Sequence, residues 1–141
     1  MPYRYHEDIS IADVAFSAEA PDLEGLLVEG AKATFEVMVK LEDVKPKMKR
    51  AIALEAPTPE KLFFAWIEEL IYLKDADALV FSKFEAKVTE GQSLRLQGSA
   101  WGEKINPKKH TLNVDVKAIT YHRFSVEKAG KGWKAFVVLD I

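Results

Sequence analysis

In the second half of the chain, over 80–88, 94–100 and 112–126, apolar side chains recur at every second position, and this alternation constrains the chain more than any other feature. Side chains on a strand point to opposite faces in turn, so a period of two sorts one face for a core and one for water. Val80, Ser82, Phe84, Ala86 and Val88 alternate with Phe81, Lys83, Glu85 and Lys87. Leu94, Leu96, Gly98 and Ala100 resume the pattern after Glu90-Gly91-Gln92, which predicts a hairpin. Leu112, Val114, Val116, Ala118, Thr120, His122, Phe124 and Val126 form one long even-numbered face. The turn Lys128-Ala129-Gly130-Lys131-Gly132 closes a second hairpin. The last segment, 133–141, is apolar on both faces, so it is expected in the centre of a sheet and covered on both sides.

The first half of the chain mixes two periods. Asp13 to Ala18 alternates with Val14, Phe16 and Ala18 on one side, a short strand. Ala20-Pro21-Asp22 stops it, and Pro21 and Asp22 suit a helix entry. Leu23, Leu26, Leu27, Ala31, Phe35 and Met38 then recur at helical spacing, predicting a helix over 22–38. Residues 43–50 read as a basic loop and 51–55 as a strand carrying Ile52 and Leu54. Pro57-Thr58-Pro59 is a helix start, with Thr58 capping and Pro59 in the first turn. Leu62, Phe63, Trp66, Ile67, Leu70 and Ile71 make the apolar stripe of a second helix, about 60–73, with Glu68 and Glu69 outward. The order β-α-β-α-β-β-β-β predicts a single α+β domain over 1–141, with two helices packed on sheet.

Composition narrows the chemistry. Forty-eight per cent of the 141 residues are apolar, enough for a core. A net charge of −2 argues against gripping nucleic acid by bulk electrostatics, so no direct nucleic-acid binding is expected. The absence of Cys excludes disulfides, thiolate metal sites and Cys nucleophiles, and is compatible with a cytoplasmic address. The charged start, Tyr3-Arg4-Tyr5-His6-Glu7-Asp8, does not read as a signal peptide. No apolar run is long enough to span a membrane. No phosphate-binding glycine loop, dinucleotide fingerprint or nucleophile elbow occurs.

Few residues stand out as chemistry. Asp140 ends a strand that is otherwise apolar on both faces, and a buried, unpaired carboxylate is costly. Ile141 adds a free terminal carboxylate beside it. A frayed, solvated end is one reading, and a carboxylate cluster that needs a cation is the other. Asp13 at a strand boundary reads as a turn residue, and His122 on the apolar even face as a hydrogen-bonded core histidine. His6, His110 and His122 form no ligand pair by spacing. Lys45, Lys47, Lys49, Arg50 and Lys108-Lys109 read as solvated, because they lack the aromatic interleaving of single-strand readers.

Taken together, several segments resemble archease proteins along nearly the whole chain. They are Ala12-Asp13-Val14, Asp22-Leu23, Phe35-Glu36-Val37-Met38, Trp66 to Leu73, Gly102-Glu103, His110, Val116 to His122, and Trp133-Lys134-Ala135 with Leu139-Asp140-Ile141. Ser10-Ile11 replaces the family's His-Thr before Ala12-Asp13, and Asn106 stands where an Asp usually follows the Gly-Glu pair. The resemblance implies a non-catalytic accessory protein of the RtcB-type RNA ligase that seals tRNA halves, promoting its guanylylation by GTP and its turnover. It further implies a metal site made of Asp13, Asp140 and the Ile141 carboxylate, with Glu103, His110 and His122 behind it. Oxygen donors favour Ca²⁺, then Mn²⁺ or Mg²⁺, over zinc. The chain is expected to be a monomer or weak oligomer in the cytoplasm. A general chaperone without metal chemistry is the alternative function. A small metal-dependent hydrolase ranks third, since it needs a pocket and a general base that the sequence does not display.

Overall fold

The computed structural model describes residues 2–6 and 13–141. Among them are seven strands and two α-helices. In chain order these are β1 (Tyr3–His6), β2 (Asp13–Ala20), α1 (Leu23–Met38), β3 (Met48–Ala56), α2 (Pro59–Asp77), β4 (Leu79–Glu90), β5 (Leu94–Lys104), β6 (Ala118–Ala129) and β7 (Gly132–Asp140), with a 3-10 turn at Leu41–Asp43. The α+β reading therefore holds, with β1 added ahead of the expected first strand. The strands make two antiparallel sheets, ordered β1-β2-β7-β6 and β3-β5-β4. The last strand is central, as its two apolar faces require.

Local chemistry sets the helix ends. The Asp22 carboxylate accepts the Gly25 N–H at 2.7 Å and caps α1. Thr58 does the same for Lys61 at 3.2 Å, ahead of Pro59 in the first turn of α2. α2 runs four residues past the expected Leu73, because Lys74 is buried there. Its ammonium donates to Asp115 at 2.7 Å and to the Val116 carbonyl at 2.8 Å. The helix ends at Ala78 in a left-handed conformation, φ 53°.

Each helix touches strands of both sheets, and one core joins them. Phe16, Leu26, Leu27, Phe35, Phe63, Trp66, Phe81 and Leu139 are its fully buried centre. The Trp66 indole N–H donates to the Leu27 carbonyl at 2.9 Å, so the largest core side chain also ties the helices together. The helices cover one face of each sheet. On the opposite face of β1-β2-β7-β6, Ala15 and Val138 are also buried, so the middle of the last strand is covered on both sides, whereas that face of β3-β5-β4 is open.

The long even-numbered face is the main correction. Residues 105–117 do not extend β6; Leu112 and Val114 are exposed there, and the strand starts at Ala118. Within β6 the register to β7 jumps between Thr120 and Ser125, with Arg123 at φ 53°. Such a bulge reverses which alternate residues face the core: Ile119 is buried before it and Val126 after it. His122 lies in the bulge and is exposed, so it is not a core histidine. The basic segment 43–50 is also shorter than expected as a loop, since Met48, Lys49 and Arg50 pair with β5.

Candidate functional site

β2 lies beside β7, and their antiparallel register sets Asp13 directly opposite Asp140. Ala118 of β6 flanks Asp140 on its other side. Along β7 the odd residues Ala135, Val137 and Leu139 enter the core, so Asp140 and its partner Asp13 share the outward face. Both are half-buried. Directly opposed residues on one face have Cβ atoms about 5 Å apart, and like charges there destabilise the pair. The end of β7 is held in place. The Asp140 carbonyl accepts the Lys117 N–H at 2.8 Å, and the Ile141 side chain packs against the core edge. An ordered end displaces the frayed reading of Asp140.

The donor chemistry of this pair suits a hard cation. Two carboxylates on one face supply only oxygen, which matches Ca²⁺, Mn²⁺ or Mg²⁺, and a bound cation relieves their repulsion. Among the described residues no three His, Cys, Asp or Glu side chains are grouped to hold a metal. Two side chains alone leave most of a shell to water or to other groups. Ser10 and Ile11, where the resemblance breaks, lie outside the described residues, as does Ala12.

Glu103 and His110 make a separate cluster, joined by Lys45 and Lys109, which the sequence read as solvated. Glu103 Oε2 accepts the Lys45 N–H at 2.8 Å and faces His110 Nε2 at 3.0 Å, while Oε1 accepts from Lys109 Nζ at 2.7 Å, with Lys47 Nζ at 3.8 Å. Bonding to Lys109, then to the Lys45 N–H and to His110, pulls the carboxyl down to about 2. The Asn106 N–H donates to His110 Nδ1 at 2.9 Å, which selects the tautomer whose Nε2–H points at Glu103. Asn106 Oδ1 accepts the Lys108 N–H at 3.0 Å. An Asp could make that same turn contact, so the departure at Asn106 leaves it intact.

Gly102 explains the residue before Glu103. A Cβ there would lie 1.8 Å from the Val80 carbonyl oxygen, where β4 bulges between Phe81 and Lys83. The Gly-Glu pair therefore seats one strand tightly on another and then pins the 45–47 and 106–110 segments to it. These contacts give Glu103 and His110 a structural role of their own. His122 belongs to the exposed β6 bulge, where Tyr121 stacks on Phe64 at 4.0 Å and the Arg123 guanidinium lies 4.8 Å above the Phe136 ring.

The model of the Archease protein family (MTH1598/TM1083) matches residues 3–141. A protein archease of Sulfurisphaera tokodaii is 37% identical over 92% of this chain and 93% of its own. One from Saccharolobus islandicus is 42% identical over the same shares. The solution structure of Protein 1598 of Methanobacterium thermoautotrophicum superposes with a TM-score of 0.87 at 30% identity, covering 99% of both chains. An archease of Thermotoga maritima, described as a possible chaperone, shares the fold with a TM-score of 0.64 at 21% identity, covering 98% of this chain and all of its own. Sequence, strand order and fold agree: the chain belongs to the archease family.

Proposed function

We propose that this protein is a non-catalytic partner of an RtcB-type RNA ligase, promoting the ligase's guanylylation and turnover through a cation held at the end of β2 and β7. The observation that carries the reading is the opposition of Asp13 and Asp140 on one outward face. Two carboxylates held this close favour a cation between them. Where the chain stops at Ile141, its terminal carboxylate is a third donor beside them. When bound, the cation neutralises the pair and offers open coordination positions to a partner. The chain's own residues orient the donors: the β2–β7 register aligns the side chains, and the Lys117 N–H fixes the last strand.

Two shallow depressions, about 560 and 530 Å³, lie elsewhere, lined by residues such as Trp133 and Pro21 or Lys87 and Gln97. Among the described residues, neither is lined by Asp13 or Asp140. A chaperone reading draws support from the exposed Tyr121, Tyr72, Leu112 and Val114, which would then suppress aggregation of unrelated clients.

The deciding experiment follows GTP-dependent self-guanylylation of the partner ligase with and without this protein. Stimulation by the wild type, lost in Asp13→Asn and in Asp140→Asn while both stay folded, supports the reading. A Ca²⁺-dependent rise in melting temperature that both variants lack links that loss to the cation. Full stimulation by either variant refutes the metal role, and no stimulation by the wild type refutes the partner.

A further inference from the structure

The basic segment around Lys49 lacks interleaved aromatics in sequence, but the sheet supplies one. Lys49 of β3 and Lys83 of β4 are both register partners of Trp101 on β5, so the three side chains form one row across the outward face. The two ammonium groups lie 5.5 and 4.7 Å from the indole centroid. Lys49, Ala51, Ala53 and Glu55 on β3 and Lys83, Glu85, Lys87 and Thr89 on β4 are all exposed, so this face is open to solvent. Down the middle strand run Arg95, Gln97, Ser99 and Trp101, with alternate residues about 7 Å apart. Arg95 is engaged by Glu55 at 3.5 Å, and Glu24 accepts the Val88 N–H at the β4 edge, so on the strands themselves Lys49, Lys83 and Lys87 stand against Glu85. The face is thus locally positive on a chain whose net charge is −2.

We propose that the outward face of the β3-β5-β4 sheet binds single-stranded nucleic acid. Trp101 is the base-stacking platform, Lys49, Lys83 and Lys87 meet phosphates, and Gln97 and Ser99 reach base edges. An aromatic ring flanked by cations on an open sheet is the arrangement single strands use, because every base has a face to stack and every linkage a charge to neutralise. The small number of cations matches weak, local binding and explains why net charge does not reveal it. This inference is independent of the ligase partnership and of the Asp13–Asp140 pair.

The test is fluorescence anisotropy of a labelled oligouridylate titrated with the intact protein at several salt concentrations. Binding is expected with a dissociation constant on the order of 10 µM at low salt, and with a log–log salt slope near −2 for three phosphate contacts, by roughly 0.7 per contact. Trp101→Leu should weaken binding about tenfold or more, while Trp101→Phe, which keeps a stacking face, should restore most of it. The double variant Lys49→Ala with Lys83→Ala should reduce the slope to about −0.7, that of one remaining contact. Should the Leu variant melt early, the Phe and double-lysine variants carry the test. No binding near 1 mM protein, or equal binding by Trp101→Leu, overturns the proposal. So does displacement of the oligonucleotide by polyglutamate at equal affinity, which assigns the face to an acidic protein surface.

Discussion

Replacing Glu103 with Gln is the most informative single change to the fold. The wild-type carboxylate accepts from the Lys45 N–H, Lys109 Nζ and His110 Nε2, with Lys47 close by, and its side chain is only 10% exposed. A Gln can keep its carbonyl oxygen toward the Lys45 N–H and His110, but its NH₂ then faces the Lys109 ammonium, donor against donor. Lys109 is 32% exposed and can swing into water, which limits the penalty. Losing one charge-assisted bond and weakening the other two costs about 1.5 kcal/mol at pH 7. For a domain of this size that is a fall of roughly 5 °C in melting temperature.

The pH dependence separates this account from a simple packing defect. The carboxyl lies at about 2 in the folded protein against 4.5 ordinarily, so its stabilisation is present above 4.5 and is lost as pH falls toward 2. More than half of the wild type's advantage over Glu103→Gln should therefore vanish between pH 5 and pH 3. Urea unfolding of both proteins across that range measures it. An advantage that stays constant with pH, or that is absent at pH 7, refutes the ionised hydrogen-bond hub.

Two further changes probe how the same region is built. Gly102→Ala places a methyl group against the Val80 carbonyl, backbone against backbone, and should cost about 3 kcal/mol by denaturant unfolding; a loss under 1 kcal/mol contradicts the close approach. Lys74→Met keeps the stem but leaves the Val116 carbonyl without its buried donor, for a loss of about 2 kcal/mol. It should also speed hydrogen exchange across 105–117, whereas unchanged exchange there would show that the segment is held by other contacts.

The helices, the hairpins and the central last strand follow from sequence because each rests on local chemistry. Asp22 and Thr58 cap, Pro59 opens a helix, and period two or 3.6 sorts the faces. The family likeness was equally readable, since it lies in the order of short segments along the chain. Parity broke down at His122 because three residues more on β6 than on β7 separate Thr120 from Ser125, and no local signal marks such a bulge. Val80 to Val88 also reads as one uninterrupted alternation, yet Gly102 and the shift between Phe81 and Lys83 interrupt it for steric reasons across strands.

What decides the two candidate surfaces is register, which is a property of strand pairs. Asp13 and Asp140 stand at opposite ends of the chain, and only the β2–β7 ladder sets one against the other. Lys49, Lys83 and Trp101 each read as ordinary in their own segment, and only two ladders meeting on β5 put the indole between the ammonium groups. Sequence by itself determined most of the strands and, away from the two bulges, which side of each is wet. The tertiary structure decided which wet residues are neighbours, because side chains across a ladder come within about 5 Å while the chain between them runs through an entire fold.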